Sequence, residues 1–249
     1  MAIARAHFLT GLLGLLLVAS AVVDAAAASL TINPTSFRLT PQRPSAVMQV
    51  TNQSAEPVRL QVQAMAWTTD GKIEMLAETD QLMVNPPIFT LAGNETQTIR
   101  FGARNVALAP VERGYRLILD EVPANREVEP AGIRTVLKIS TPVFIPALVP
   151  AEQVDWRVVQ SAAGASLVAT NTGNTHLKII ALKLAGSGTT ALLVNTDLAY
   201  ILPGQAREWP IKEKGADKGA RKGVPTGPLQ LRVRTETGDH EQTLSSGAP

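Results

Sequence analysis

The chain has 249 residues, 23 Lys and Arg against 21 Asp and Glu, and no cysteine. With 45% apolar and 18% charged residues it has the balance of a folded protein, and the absence of cysteine excludes a disulfide framework, a thiol nucleophile, an iron–sulfur cluster and a thiolate zinc site. A net charge of +2 and only three His leave no nucleic-acid footprint and little for metal or His-based catalysis.

In chain order, the first segment is an address. Arg5 and His7 precede an apolar run from Phe8 to Val23, and small residues follow at Ala25–Ala28. That is the pattern of a secretory signal, and the run is short for a membrane span. Residues 1–28 are therefore expected to be a signal peptide, cleaved after Ala25 or Ala28. A cysteine-free exported chain points to the bacterial periplasm.

From Ser29 onward the pattern is strands. Period-two alternation recurs at Val47–Thr51, Val58–Ala64, Gln97–Phe101, Arg116–Val122 and Ile133–Ile139, then at Ser166–Thr170, Leu177–Leu184 and Leu229–Arg234. Turn residues separate them, as at Asp70-Gly71, Gly93-Asn94, Gly173-Asn174 and Pro203-Gly204. Many short strands with such punctuation predict an all-β protein of immunoglobulin-like sandwiches. Prolines at 142, 146 and 150 are expected to interrupt pairing and form a stiff connector. The expected division is 29–146 for the N-terminal domain and 147–249 for the C-terminal one. The Lys212–Gly223 stretch reads as a basic loop within the second. Trp67, Trp156 and Trp209 read as core residues.

No HExxH, GxSxG, dinucleotide or phosphate-loop motif is present. The carboxylates of Asp120 and Glu121 alternate across a strand and cannot share a substrate. The chain is not read as an enzyme, and no cofactor or metal is expected. His176 is read as bracing the turn that precedes it.

The segment from Leu82 to Phe101 (LMVNPPIFTLAGNETQTIRF) resembles the first-domain signature of the periplasmic pilus chaperones, the PapD-like family. Tyr115–Pro123 (YRLILDEVP) is similar to the family's next strand. Asn33-Pro34-Thr35, Val50-Thr51-Asn52, Asn171–His176 and Tyr200–Gly204 fall where that family has them, the last two in the manner of its archaic branch, which serves spore-coat-U-like subunits. The resemblance implies two sandwiches set in an L with an inter-domain cleft. It implies a periplasmic chaperone that binds incomplete pilin subunits by lending them a strand and delivers them to an outer-membrane usher. Whether the free protein self-associates stays open.

The lent strand implied by the resemblance is the segment before the connector. One parity carries Ile133, Thr135, Leu137 and Ile139, and the other carries Arg134, Val136 and Lys138. Register against Pro146 favours the second parity, whereas apolar content favours the first, which is taken as subunit-binding. The family's usual pair of cations for the subunit carboxylate is displaced: Ser36 and Thr141 stand where an Arg and a Lys are usual, and Arg38 and Lys138 are the nearest replacements. Arg100 is expected to support the first domain with a buried, hydrogen-bonded side chain, and Glu121 to brace the domain interface. The rival reading is a structural or adhesive two-sandwich subunit of a surface fibre. A pilin lacks its last strand, whereas here Leu229–Arg234 and Glu241–Leu244 are expected to close the second sandwich.

Overall fold

The computed structural model describes residues 29–122, 136–161, 164–186, 191–211 and 227–245. The signal segment, Ile133 and Thr135, and the Lys212–Gly223 stretch lie outside the described residues. Every element among those described is a strand.

The first half holds β1 (Leu30–Asn33), β2 (Phe37–Arg38), β3 (Ser45–Asn52), β4 (Val58–Thr69), β5 (Glu74–Glu78), β6 (Leu82–Asn85), β7 (Ile88–Leu91), β8 (Thr96–Ala103), β9 (Arg113–Glu121) and β10 (Lys138–Ile145). One sheet runs β1-β3-β8-β6, and the facing one runs β2-β10-β9-β4-β5 with β7 also on β4. Alternation explains the layering. Met48 and Val50 of β3, Leu60 and Val62 of β4, Ile99 and Phe101 of β8, and Leu117 and Leu119 of β9 all point between the sheets.

The second half holds β11 (Val154–Ser161), β12 (Gly164–Asn171), β13 (Leu177–Ala185), β14 (Ala191–Asn195), β15 (Ala199–Ile201), β16 (Ala206–Pro210), β17 (Pro228–Thr235) and β18 (Asp239–Ser245). Its sheets run β11-β12-β16 and β14-β13-β17-β18, with β15 also on β13. The core between them centres on Leu167, Ile179, Leu184, Leu231 and Trp209, with Trp156 stacked at 6.1 Å on Trp209. Among the described residues no sheet takes strands from both halves.

Both sandwiches use the same buried amide. Asn52 ends β3, and its Nδ2 donates to the carbonyls of Glu56, Leu91 and Ala92, while its Oδ1 accepts from the backbone N–H and hydroxyl of Ser54. Asn171 ends β12, and its Nδ2 donates to the carbonyls of Thr175 and Ile201, while its Oδ1 accepts from the Gly173 N–H. Each therefore ties the end of its strand to carbonyls of two other segments of the same sandwich.

Strand β10 departs from expectation. It pairs with β9 from Lys138 to Ile145 and so runs straight through Pro142. The carbonyl of Phe144 accepts from Leu39, on the side away from β9. Backbone groups alternate sides along a strand, so the nitrogen of Pro142 points to that outer side too, and its missing N–H costs the ladder nothing.

Asn171→Ala strips two buried carbonyls of their donor and should lower the unfolding free energy by about 2–4 kcal/mol. Urea unfolding measures this, and a loss under about 0.5 kcal/mol would show that the amide is not what ties these loops.

Candidate functional site

Strand β10 presents three different surfaces. Its odd residues face the first core, and cover increases along the row: Leu137, just before the strand, and Ile139 are half-buried, whereas Thr141, Val143 and Ile145 are buried. Its even residues face the other way. Lys138 and Ser140 are exposed, as is Val136 before them, while Phe144 enters the contact between the two sandwiches. Its outer edge meets β2 only at Val143 and Phe144. Residues 138–142 thus have no strand on that side among the described residues, and the backbone groups of Lys138 and Ser140 point outward there.

Glu121 holds the entry to this edge. Its carboxylate accepts from the Leu137 N–H at 3.2 Å, and its own N–H donates to the Leu137 carbonyl at 2.9 Å. The expected role at the domain interface is not what the structure shows. Gly114, at the other end of β9, is the residue beside Trp67 and Phe144, and seven residues at roughly 3.3 Å each put Glu121 about 23 Å from there. Arg100 also differs from expectation. Ile99 and Phe101 take the inward positions of β8, so Arg100 is exposed on the outer face between Val47 and Asn85.

The two proposed anchors do not converge. Arg38 lies opposite Phe144 on the edge of β10, exposed, with no partner for its guanidinium among the described residues. Lys138 is six residues further along β10, about 20 Å away at roughly 3.3 Å per residue. It pairs with Asp120 at 3.4 Å. The combined reach of both side chains is too short for them to hold one carboxylate, so the structure does not bring together the pair expected from sequence, and of the two it is Arg38 that borders the inter-domain contact.

That contact is built from rings. Trp67 of β4, Phe144 of β10, Tyr200 of β15 and Leu202 form a buried cluster of their own. The Arg116 guanidinium lies 3.5 Å over the Trp67 ring and 5.2 Å from that of Tyr200. Burial pulls it below the usual arginine value, while Glu74 and Tyr200 oppose the shift. Glu74 accepts from the Trp67 indole N–H at 3.0 Å and lies 3.9 Å from both Arg116 and Arg207, the latter in the second sandwich.

Backbone bonds close the contact at two places. The Ala206 N–H donates to the Gly71 carbonyl at 2.7 Å, and the Glu112 N–H donates to the Asn174 carbonyl at 2.9 Å. Gly71 belongs to a turn held by the Asp70 carboxylate, which accepts from the N–H groups of Lys72 and Ile73. Bonds from Ile73 and Lys72 keep that carboxyl below its ordinary value. The turn it organises is therefore secured above the ordinary carboxylate range and loses this support as the pH falls through the lowered value. Gly173 is fixed for a steric reason, because a Cβ there would run into the Ala151 carbonyl.

Sequence reasoning missed Glu112 and the full role of His176. The His176 ring stacks on Phe144 at 3.6 Å and bonds to Glu112 across the contact, so it ties two sandwiches rather than one turn. Glu112 precedes β9 in a stretch without alternation, and nothing in its neighbours marks a buried acid. Among the described residues no group of His, Asp and Glu gathers as a metal-ligand set.

Residues 29–149 match the family model of pili and flagellar-assembly chaperones, PapD N-terminal domain. Over the longer chain the fold is similar to one in the CsuC–CsuE chaperone–tip adhesion subunit pre-assembly complex from the archaic Csu pili of Acinetobacter baumannii. Identity is 17% and the TM-score 0.63, with 89% of this chain and 100% of that one covered. It is also similar to one in the Salmonella enterica SafA pilin–SafB chaperone complex (15%, 0.58, 88% and 96% covered) and to the Pseudomonas aeruginosa CupB2 chaperone (12%, 0.53, 86% and 98%). No curated protein matches in sequence. Residues 29–149 are thus a PapD-type chaperone N-terminal domain, and the fold over the longer chain is that of two-domain PapD-like chaperones. Family and fold are those of chaperones, which are not enzymes.

Arg116→Ala removes a guanidinium packed on Trp67 and should lower the unfolding free energy by about 2 kcal/mol, the scale of a desolvated cation–π contact. Wild-type stability in urea would show that the rings hold the contact without it.

Proposed function

We propose that the protein is a periplasmic chaperone of pilus assembly that captures incomplete pilin subunits by lending them the outer edge of β10. The observation that carries this reading is the backbone edge at residues 138–142, without a partner strand among the described residues, beside a half-covered apolar row. A subunit lacking its last strand has an open groove and an unpaired edge that would otherwise aggregate. Lys138 and Ser140 supply outward backbone groups for that edge, and Leu137 and Ile139 extend the chaperone's own core row towards the groove. Ile133 and Thr135 continue the same parity in sequence.

Arg38 is the cation for the subunit's terminal carboxylate, because it sits beside the contact of the two sandwiches with its guanidinium uncommitted, and arginine grips a carboxylate with two parallel bonds. Spore-coat-U-like subunits are the expected clients, and an outer-membrane usher the recipient. The solved CsuC–CsuE and SafA–SafB complexes, each a chaperone with its subunit, support pilin partners. A fibre-subunit role is less well supported, since β17 and β18 pair along the edge of the second sandwich. Export with removal of residues 1–25 or 1–28 belongs to the same reading, and the mass of the periplasmic protein tests it.

Co-expression in a bacterial periplasm with pilin-like subunits should yield a soluble one-to-one complex. Leu137→Asp should abolish capture while the protein stays folded, because it drives a charge into an apolar groove. Val136→Asp should leave capture intact; the opposite pattern would assign the lent face to the other parity. Arg38→Glu should weaken capture by at least tenfold, about 1.4 kcal/mol or more, and wild-type capture would move the carboxylate site elsewhere.

A further inference from the structure

The His176 side chain is buried and both its ring nitrogens face carboxylate oxygens. Nδ1 lies 2.6 Å from Oε1 of Glu112, and Nε2 lies 3.0 Å from Oε1 of Glu236. A carboxylate only accepts, so Nδ1 donates to Glu112, and the Glu236 oxygen beside Nε2 meets an attractive charge instead of a lone pair only when that nitrogen carries hydrogen too. A neutral ring would turn a lone pair on one of the two oxygens.

Three further features agree. The ring lies flat on Phe144, at 3.6 Å and 6° between planes, which suits a cation over an aromatic face. Glu112 is almost wholly buried, comes from the first half of the chain, and also accepts the His176 backbone N–H at 2.9 Å. Its Oε2 has no hydrogen-bond partner among the described residues. A buried carboxylate so placed needs a counter-charge, and the imidazole is the group in contact with it.

We propose that His176 is a protonation-dependent latch between the two sandwiches, closed while its ring is an imidazolium and loosened when the ring gives up one proton. The proton leaves from Nε2, because Glu236 is partly exposed whereas Glu112 is not. The neutral ring keeps its Nδ1–H on Glu112. That bond is then no longer ion to ion, and Glu112 is left as a buried anion without a counter-ion at the contact. The charged and titratable groups facing the ring are Glu112 from the segment before β9, Tyr200 from β15, and Glu236 from the turn after β17. Lys178 of β13 lies 3.9 Å from Glu236 and remains as its partner after release. Because Arg38 and the Pro142 end of the proposed lent edge lie beside this contact, the latch would tune the cleft as pH changes. That consequence rests on the proposed function, whereas the latch itself does not.

The test uses the mature protein labelled with nitrogen-15. Imidazole nitrogen signals report the ring's charge, and amide dipolar couplings report the relative orientation of the sandwiches, both followed from about pH 5 to about pH 8 where histidines ordinarily exchange their proton. The expected result is an imidazolium signature at the acid end, with all couplings fitting one rigid orientation. That single fit should be lost in step with ring deprotonation. Glu112→Gln removes the buried charge at almost unchanged shape and should abolish the pH dependence of the orientation. A ring found neutral at the acid end would overturn the latch, and so would a ring that titrates while the wild-type couplings stay constant. Neither readout involves a subunit, so failure to capture pilins would leave this result standing.

Discussion

An edge strand has two faces and one free side, and β10 uses all three for different purposes. Its odd residues are committed to the first core, its even residue Phe144 is committed to the second sandwich, and its outer backbone at 138–142 pairs with no strand among the described residues. This division follows from the two-residue period of a strand, which sends neighbouring side chains to opposite faces and neighbouring backbone groups to opposite edges. Pro142 fits the arrangement because its ring falls where no partner strand needs an N–H. Glu121 completes it by tying Leu137 to β9 through both backbone groups, so the strand enters the edge already aligned.

The contact between the sandwiches is anchored at the far end of the same strand. Phe144 meets Trp67 and Tyr200, and around these rings lie charged groups from both halves of the chain: Glu74 with Arg207, and Glu112 with His176. Rings give the contact its area, while the ion pairs and the two backbone bonds give it direction. An apolar contact alone would tolerate sliding. Bonds at Gly71–Ala206 and Glu112–Asn174 join the halves at two separated points and set the direction in which one packs on the other.

Strand positions were legible because alternation is local. Val58–Ala64 extends to Thr69 and Gln97–Phe101 widens by a residue or two at each end, but the inward positions of these strands stay where the pattern put them. Pro142 was misread for a reason that is not local: whether a proline breaks a strand depends on which side is paired, and that is decided by strands far away in sequence. Arg100 was misread in a related way. Its neighbours Ile99 and Phe101 already implied an outward side chain, and that parity outweighs the resemblance that suggested burial. Glu121 lies beside Leu137 and the unmarked Glu112 at the domain contact, because the full length of β9 separates them.

The residues alone determined the all-β class, the order of the strands, the apolar row that includes Leu137 and Ile139, and the kinship with pilus chaperones. Each of these is written in short-range periodicity or in the order of motifs. Only the tertiary structure decided that Arg38 and Lys138 lie too far apart to act together, that Arg38 borders the inter-domain contact, and that His176 rests between Glu112 and Glu236. Those facts depend on distances between residues brought together by sheet pairing and by the packing of one sandwich on the other. No local pattern encodes them, because the energy that sets them comes from burial and from ion pairs made only once both halves have folded.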